Sequence, residues 1–140
     1  MSRYIPEITN DGVDYYNYFG WGADVTATII RIYEYVLKYD APHTEEEYEL
    51  TFTLSKMESE ELLDIIQFHL TKFILFDYSA KCILNNVYDL NISYNSFKFE
   101  YHILYDDIFV DITHKNVKTT NVSIHKLKWL CDVLLKIKGS

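Results

Sequence analysis

The segment DVTATIIRIYEYVLKYD, from Asp24 to Asp40, decides the fold because it supports two opposite readings. At about 100° per residue, the period of an α-helix, Val25, Ile29, Ile32 and Val36 fall on one arc, with Tyr33 and Tyr39 beside it. Arg31, Glu34 and Lys38 gather opposite, and Glu34 precedes Lys38 by four residues, the favourable order for an ion pair on a helix. As a strand, the segment would put Glu34 on the same face as Ile30, Ile32 and Val36. Its opening run Val-Thr-Ala-Thr-Ile-Ile is nonetheless rich in β-branched residues, which prefer sheet. Periodicity decides for helix, with Asp24 as the N-cap and Pro42 forcing an exit near Asp40-Ala41.

On the C-terminal side, residues 47–55 alternate. Tyr48, Leu50, Phe52 and Leu54 point one way, while Glu47, Glu49, Thr51, Thr53 and Ser55 point the other, as in a half-buried strand with an acidic outer face. Ser59 is expected to cap a second helix reaching about Leu75, with Leu62, Ile66, His69 and Phe73 in its apolar stripe. After a turn near residues 78–80 the period returns to two, giving strands at about 84–93, 97–105 and 108–113, connected by Tyr94-Asn95-Ser96 and Asp106-Asp107. Lys115 to Asn121 reads as a polar loop. Ser123 caps a last helix that buries Ile124, Leu127, Leu130, Cys131, Leu134 and Ile137, and Gly139 ends it.

On the N-terminal side, residues 1–22 show no period and collect Pro6, Asn10-Asp11-Gly12, Gly20 and Gly22. The expected fold is α+β, a single domain over 1–140 in the order α-β-α-β-β-β-α. It has one four-stranded, mostly antiparallel sheet packed against helices, an irregular aromatic-rich segment 1–22, and a basic loop and C-terminal helix at 115–140.

A chain of 140 residues with 49% hydrophobic content can bury a core without metal or disulfide support. No apolar run approaches the roughly 18 residues of a membrane span, and Met1–Glu7 lacks the apolar stretch of a secretory signal. Cys82 and Cys131 stand far apart with no ligand cluster, so both read as reduced, buried residues of a cytoplasmic protein. The triplets Asn91-Ile92-Ser93 and Asn121-Val122-Ser123 would be glycosylation acceptors only in a secretory pathway. Thirteen Tyr beside four Ala, four Gly and two Pro is the bias of an AT-rich genome, as in phages, low-GC bacteria and some large DNA viruses.

Charge is laid out unevenly. Residues 1–114 hold 20 Asp/Glu against 7 Lys/Arg, a net of −13, and residues 115–140 hold 6 Lys against one Asp, a net of +5. Residues 40–64 carry nine carboxylates (Asp40, Glu45, Glu46, Glu47, Glu49, Glu58, Glu60, Glu61 and Asp64) against Lys56 alone. Such a field attracts a basic partner and repels nucleic acid. Glu47 and Glu49, on one face of a strand, lie about 7 Å apart, near the phosphate repeat of DNA. Tyr15, Tyr16, Tyr18, Phe19 and Trp21, among Gly, Asn and Asp, have the composition of a binding loop. A secondary surface is His125, Lys128, Trp129 and Lys136 on the polar side of the last helix, where an exposed Trp among cations could stack on a base or anchor a protein.

Reactive groups do not gather in the same way. Asp107 and Asp111 share a strand face near His102, but His114 falls on the opposite face beside Val110 and Ile112. His69, inside an apolar stripe, reads as a core histidine, and Cys131 faces the buried side of its helix. No Walker loop, HExxH, EF-hand or nucleophile elbow occurs, and Gly20-x-Gly22 lacks the third glycine and preceding strand of a nucleotide fingerprint. The expected function is that of an acidic, non-enzymatic inhibitor, analogous in size and charge to immunity proteins, antitoxins and phage-encoded blockers. It would need no cofactor and would occlude the basic surface of a nuclease or other nucleic-acid-binding protein. The alternatives are a small metal-dependent hydrolase built on Asp107, Asp111, His102 and His114, and a self-assembling structural protein.

Overall fold

The computed structural model describes residues 13–18, 21–26, 29–40, 43–75 and 87–139. The chain is α+β and divides into two compact units, residues 1–59 and 60–140. The first unit is a four-stranded antiparallel sheet in the order β1-β2-β3-β4, with β1 Val13–Tyr18, β2 Trp21–Val25, β3 Ile29–Asp40 and β4 His43–Ser55. The expected helix over 24–39 is therefore the end of β2 and most of β3, and among the described residues four strands precede the first helix.

Pairing on both sides of β3 overturns the helical reading. Ile32 stands opposite Ala23 on β2 and Phe52 on β4, while Ile30 stands opposite Val25 and Leu54. Ala23, Ile30, Ile32, Phe52 and Leu54 are all buried, each contributing about 1.5–3 kcal/mol if fully removed from water when as large as Ile, Leu or Phe. Glu34, the residue that argued against a strand, is half-buried and lies just beyond Tyr33, where the run of buried side chains ends. Asp24 does not cap a helix. It is buried, opposite Arg31, and its Oδ1 accepts a 2.8 Å hydrogen bond from Arg31 Nε. The Arg31 guanidinium also lies 6.0 Å from the Tyr33 ring centroid. The β3–β4 register shifts so that Phe52 pairs with Ile32 and Leu50 with Tyr33, leaving Thr51 as the extra residue of a bulge.

Helix α1, Lys56–Leu75, follows β4 directly. Its start is a capping box at Ser55, not at Ser59: Glu58 N–H donates to Ser55 Oγ and Ser55 N–H donates to Glu58 Oε1, both at 3.1 Å. Ser59 is buried one turn later and donates to the Lys56 carbonyl.

The second unit holds a three-stranded antiparallel meander of β5 Phe97–Leu104, β6 Asp107–His114 and β7 Val117–Ser123, followed by α2, Ile124–Lys138. The expected strand at 84–93 is replaced by a 3-10 turn at Val87–Leu90 and a single bridge between Ser93 and Lys98; residues 84–86 lie outside the described residues. Both hairpins close with two-residue turns in the left-handed region, Tyr105-Asp106 (φ 51° and 62°) and Lys115-Asn116 (φ 50° and 65°). The first turn thus sits one residue earlier than Asp106-Asp107, and the expected polar loop is mostly β7. That strand reads as loop because Val122 is its only buried residue. Phe97, Phe99, Tyr101, Val110, Ile112 and Val122 line the buried sheet face, against which Leu127, Leu130, Cys131, Val133 and Leu134 of α2 also bury. Ser123 caps α2 by accepting from Lys126 N–H, and Gly139 closes it, as its sequence indicates.

The Asp24–Arg31 bond spans the strand pair that fixes β3. Asp24→Asn and Arg31→Gln are each expected to lower the unfolding free energy by about 1–3 kcal/mol. Urea unfolding of the double mutant should give a coupling above about 0.5 kcal/mol; strict additivity would contradict the pairing.

Candidate functional site

Two polar clusters stand in the second unit, one in its core and one on the outer face of its sheet. In the core, His69 of α1 is fully buried, and both ring nitrogens are used: Nδ1 is 2.6 Å from Tyr101 Oη and Nε2 is 2.7 Å from Tyr94 Oη. A neutral imidazole offers one N–H and one lone pair, so one tyrosine accepts from it and the other donates to it. Phe99 packs edge-on to the imidazole at 4.8 Å, and Phe73 edge-on to Tyr101 at 5.7 Å. Asn91 completes the network by accepting the Tyr101 N–H at 2.7 Å on the side of β5 away from β6.

Burial drives every titration here away from neutral pH. It lowers His69 to about 4, raises Tyr94, and raises Tyr101 well above its ordinary value with a further push from Tyr94. None of these groups is poised to exchange a proton near neutrality, so the cluster acts as a polar tie inside the core. The Cys131 thiol is likewise raised, first by burial and then by Asp132, which disfavours the thiolate a nucleophile needs.

The outer cluster joins all three strands of the meander. His102 on β5 has Nε2 2.7 Å from Asn121 Oδ1 on β7, and Asn121 N–H donates to Asp111 Oδ1 on β6 at 3.0 Å. His102 Nδ1 lies 3.6 Å from the same carboxylate oxygen, and its ring stacks on Phe109 at 6.1 Å. Asn121 occupies the left-handed region (φ 56°) where the β6–β7 register shifts between Val110 and Ile112. Glu100, directly opposite Asp111, is flanked by Lys98 at 3.7 Å and Lys118 at 3.8 Å.

The four residues of the hydrolase reading do not meet. His102 and Asp111 come together, whereas Asp107 stands exposed at the start of β6, and His114 is buried and stacked on Phe97 at 4.8 Å. Among the described residues no three His, Cys, Asp or Glu side chains form a group that could hold a metal ion. Glu100, Tyr94 and Tyr101 carry no sequence motif, and the triplet that begins at Asn121 does not point to this cluster; the Tyr94-Asn95-Ser96 turn beside a buried histidine is the one local hint to the core cluster.

The acidic and aromatic residues distribute differently from the sequence expectation. Tyr15, Tyr16 and Tyr18 belong to β1 and Trp21 opens β2, so they lie on paired strands and not in an irregular segment; Tyr15 pairs with Ala23 and Tyr18 with Trp21. Phe19, and the side chains of these four and of Glu45, Glu46, Glu47 and Glu49, lie outside the described residues. On α1, Glu58 is used in the capping box and Glu61 accepts the Ser96 N–H at 2.9 Å, while Glu60 and Asp64 are exposed. His125, Lys128 and Lys136 are exposed on α2, with Trp129 half-buried. No helix among the described residues is long and apolar enough to cross a membrane. Comparison with family models, curated proteins and solved structures finds no match.

His69 gives stability a defined pH dependence. Its folded pKa, about 4, lies below the unfolded value of 6.5, so the unfolded chain takes up the proton first. The stabilisation is complete above about pH 6.5 and is lost as pH falls toward 4, by up to about 3 kcal/mol. Urea unfolding at pH 7.5 and 4.5 should show this loss in the natural chain and a reduced loss in His69→Phe; equal losses would contradict the assignment.

Proposed function

We propose that this protein works by binding another protein in the cytoplasm, as an acidic inhibitor whose carboxylates cover the basic surface of a nucleic-acid-handling partner. The observation that supports this most is the place of Glu45, Glu46, Glu47 and Glu49 on β4, an edge strand that pairs with β3 alone among the described residues. Their partners across the strands are Lys38, Leu37, Val36 and Glu34, so one lysine stands opposite four glutamates. Glu34 stands opposite Glu49. The charge of the strand favours and steers encounter with a basic partner. Edge strands can in addition take up an extended segment through main-chain hydrogen bonds. A second copy of β4 laid alongside would add glutamates to glutamates, which disfavours self-pairing through this edge.

Glu60 and Asp64 are exposed on α1 and add carboxylates of the second unit to the reading. In this reading Tyr15, Tyr16, Tyr18, Phe19 and Trp21 provide apolar contact area, because affinity concentrates in a few aromatic anchors while rim charges set rate and salt dependence. The metal-dependent hydrolase loses its geometric support with the separation of Asp107 and His114 from His102 and Asp111.

The test is affinity capture at low salt followed by binding kinetics with the purified basic protein recovered. Association should slow by about tenfold or more between about 50 and about 300 mM salt. Trp21→Ala should weaken binding by about 30-fold, and any single Glu→Gln on β4 by less than about threefold. Recovery of no basic protein, or an association rate indifferent to salt, would overturn the reading.

A further inference from the structure

We infer that the tip of the β5–β6 hairpin is a protein-binding anchor, with Tyr105 entering an apolar pocket that a basic partner rims with Lys or Arg. Tyr105 is 98% exposed, the most exposed large hydrophobic side chain among the described residues. Leu104 beside it is also exposed, as are Asp106 and Asp107. Neither of these two carboxylates makes a hydrogen bond or ion pair among the described residues.

Folding alone does not ask for tyrosine at this position. The two-residue turn requires positive φ at both residues, which Gly, Asn and Asp adopt at low cost and a bulky side chain does not. The second hairpin has the same turn, and there the first position is the exposed, charged Lys115. At the first hairpin the same backbone holds a phenol ring in water, with no packing in return. Such a departure from the locally favoured residue marks a functional position more often than a structural one.

The tip is also well placed to bind. β5 and β6 pair without a break from Phe97–His114 to Leu104–Asp107, so the turn is carried on a rigid two-strand arm. A tyrosine fixed in this way loses little conformational freedom on docking and offers both ring area and a hydroxyl. Asp106 and Asp107 set the charge of the rim it fits, and that rim is basic. The inference rests on the proposed protein-binding function only in requiring a basic partner; its surface is separate in sequence from β4.

The experiment has two arms. In the first, thermal unfolding of Tyr105→Asn and Tyr105→Gly should give a midpoint equal to or above that of the natural chain, because both residues suit positive φ; a lowered midpoint would show that Tyr105 serves the fold and would overturn the inference. In the second, a photo-crosslinking phenylalanine analogue replaces Tyr105, or Lys115 as control, in cells of the source organism. Position 105 should yield an adduct with a basic protein and position 115 none; no adduct at 105, or the same adduct at both, overturns the inference. With the recombinant adduct partner, Tyr105→Asn should weaken binding by about 30-fold and Tyr105→Phe by less than about threefold. Unchanged affinity in Tyr105→Asn overturns the inference. Replacing Glu45, Glu46, Glu47 and Glu49 together by Gln separates the two surfaces. If affinity and association rate survive that change but fall in Tyr105→Asn, the anchor stands and the β4 reading fails.

Discussion

The structure depends first on the backbone of β3 being paired on both sides. Ile30–Glu34 pair with β2 and β4 at once, and the rest of the twelve-residue strand pairs with β4, so backbone N–H and C=O groups are satisfied laterally where a helix would satisfy them within itself. Once β3 is a strand, its register aligns Ala23, Ile32 and Phe52 in one buried row and Asp24, Arg31 and Thr53 in the next. The same pairing draws out residues 43–55 as the sheet's edge and fixes where the glutamates fall along it. The positions of the glutamates along β4 thus follow from the pairing of β3.

The second unit solves a different problem, that of polar groups within a small core. His69 is accommodated because two tyrosine hydroxyls complete the needs of a neutral imidazole, and aromatic rings exclude the water that would charge it. Outside, the β5–β6 register sets His102 beside Asp111 and Asn121 bonds to both, with no third metal ligand among the described residues. The core cluster ties α1 to β5, and the outer cluster ties the three strands of the meander together. Reactivity needs groups with pKa values near the working pH and aimed at a common point, and the core cluster lacks the first of these.

The sequence was most legible where one period stood alone. The strand over 47–55, the apolar stripe ending at Phe73 and the Ser123-to-Gly139 helix all appear in the structure, because no competing pattern fits those residues. The segment 24–40 misled because Val25, Ile29, Ile32 and Val36 satisfy helical spacing, while the deciding forces, pairing with β2 and β4, lie outside it. β7 misled in the reverse sense: a polar edge strand with one buried residue has no hydrophobic period to read. Of the candidate sites, His69 as a core residue and His114 as a buried one were legible from alternation and stripe. The partners Tyr94, Tyr101 and Asn121 were not, because they reach their histidines across 19 to 32 residues of sequence. The place of Tyr15, Tyr16, Tyr18 and Trp21 on paired strands was not legible, since Gly and Asn among them imitate a loop.

Protein binding through the charged edge of β4 is therefore a reading that stands or falls with the strand identity of residues 29–40, while the hairpin tip depends on β5 and β6 alone. Nuclear Overhauser contacts in the isotope-labelled full chain test that identity most directly. The account predicts cross-strand contacts from Ile32 to Ala23 and to Phe52, with slow amide exchange along Ile30–Tyr33. Sequential helical contacts between Ile29, Ile32 and Tyr33, without those cross-strand contacts, would contradict it.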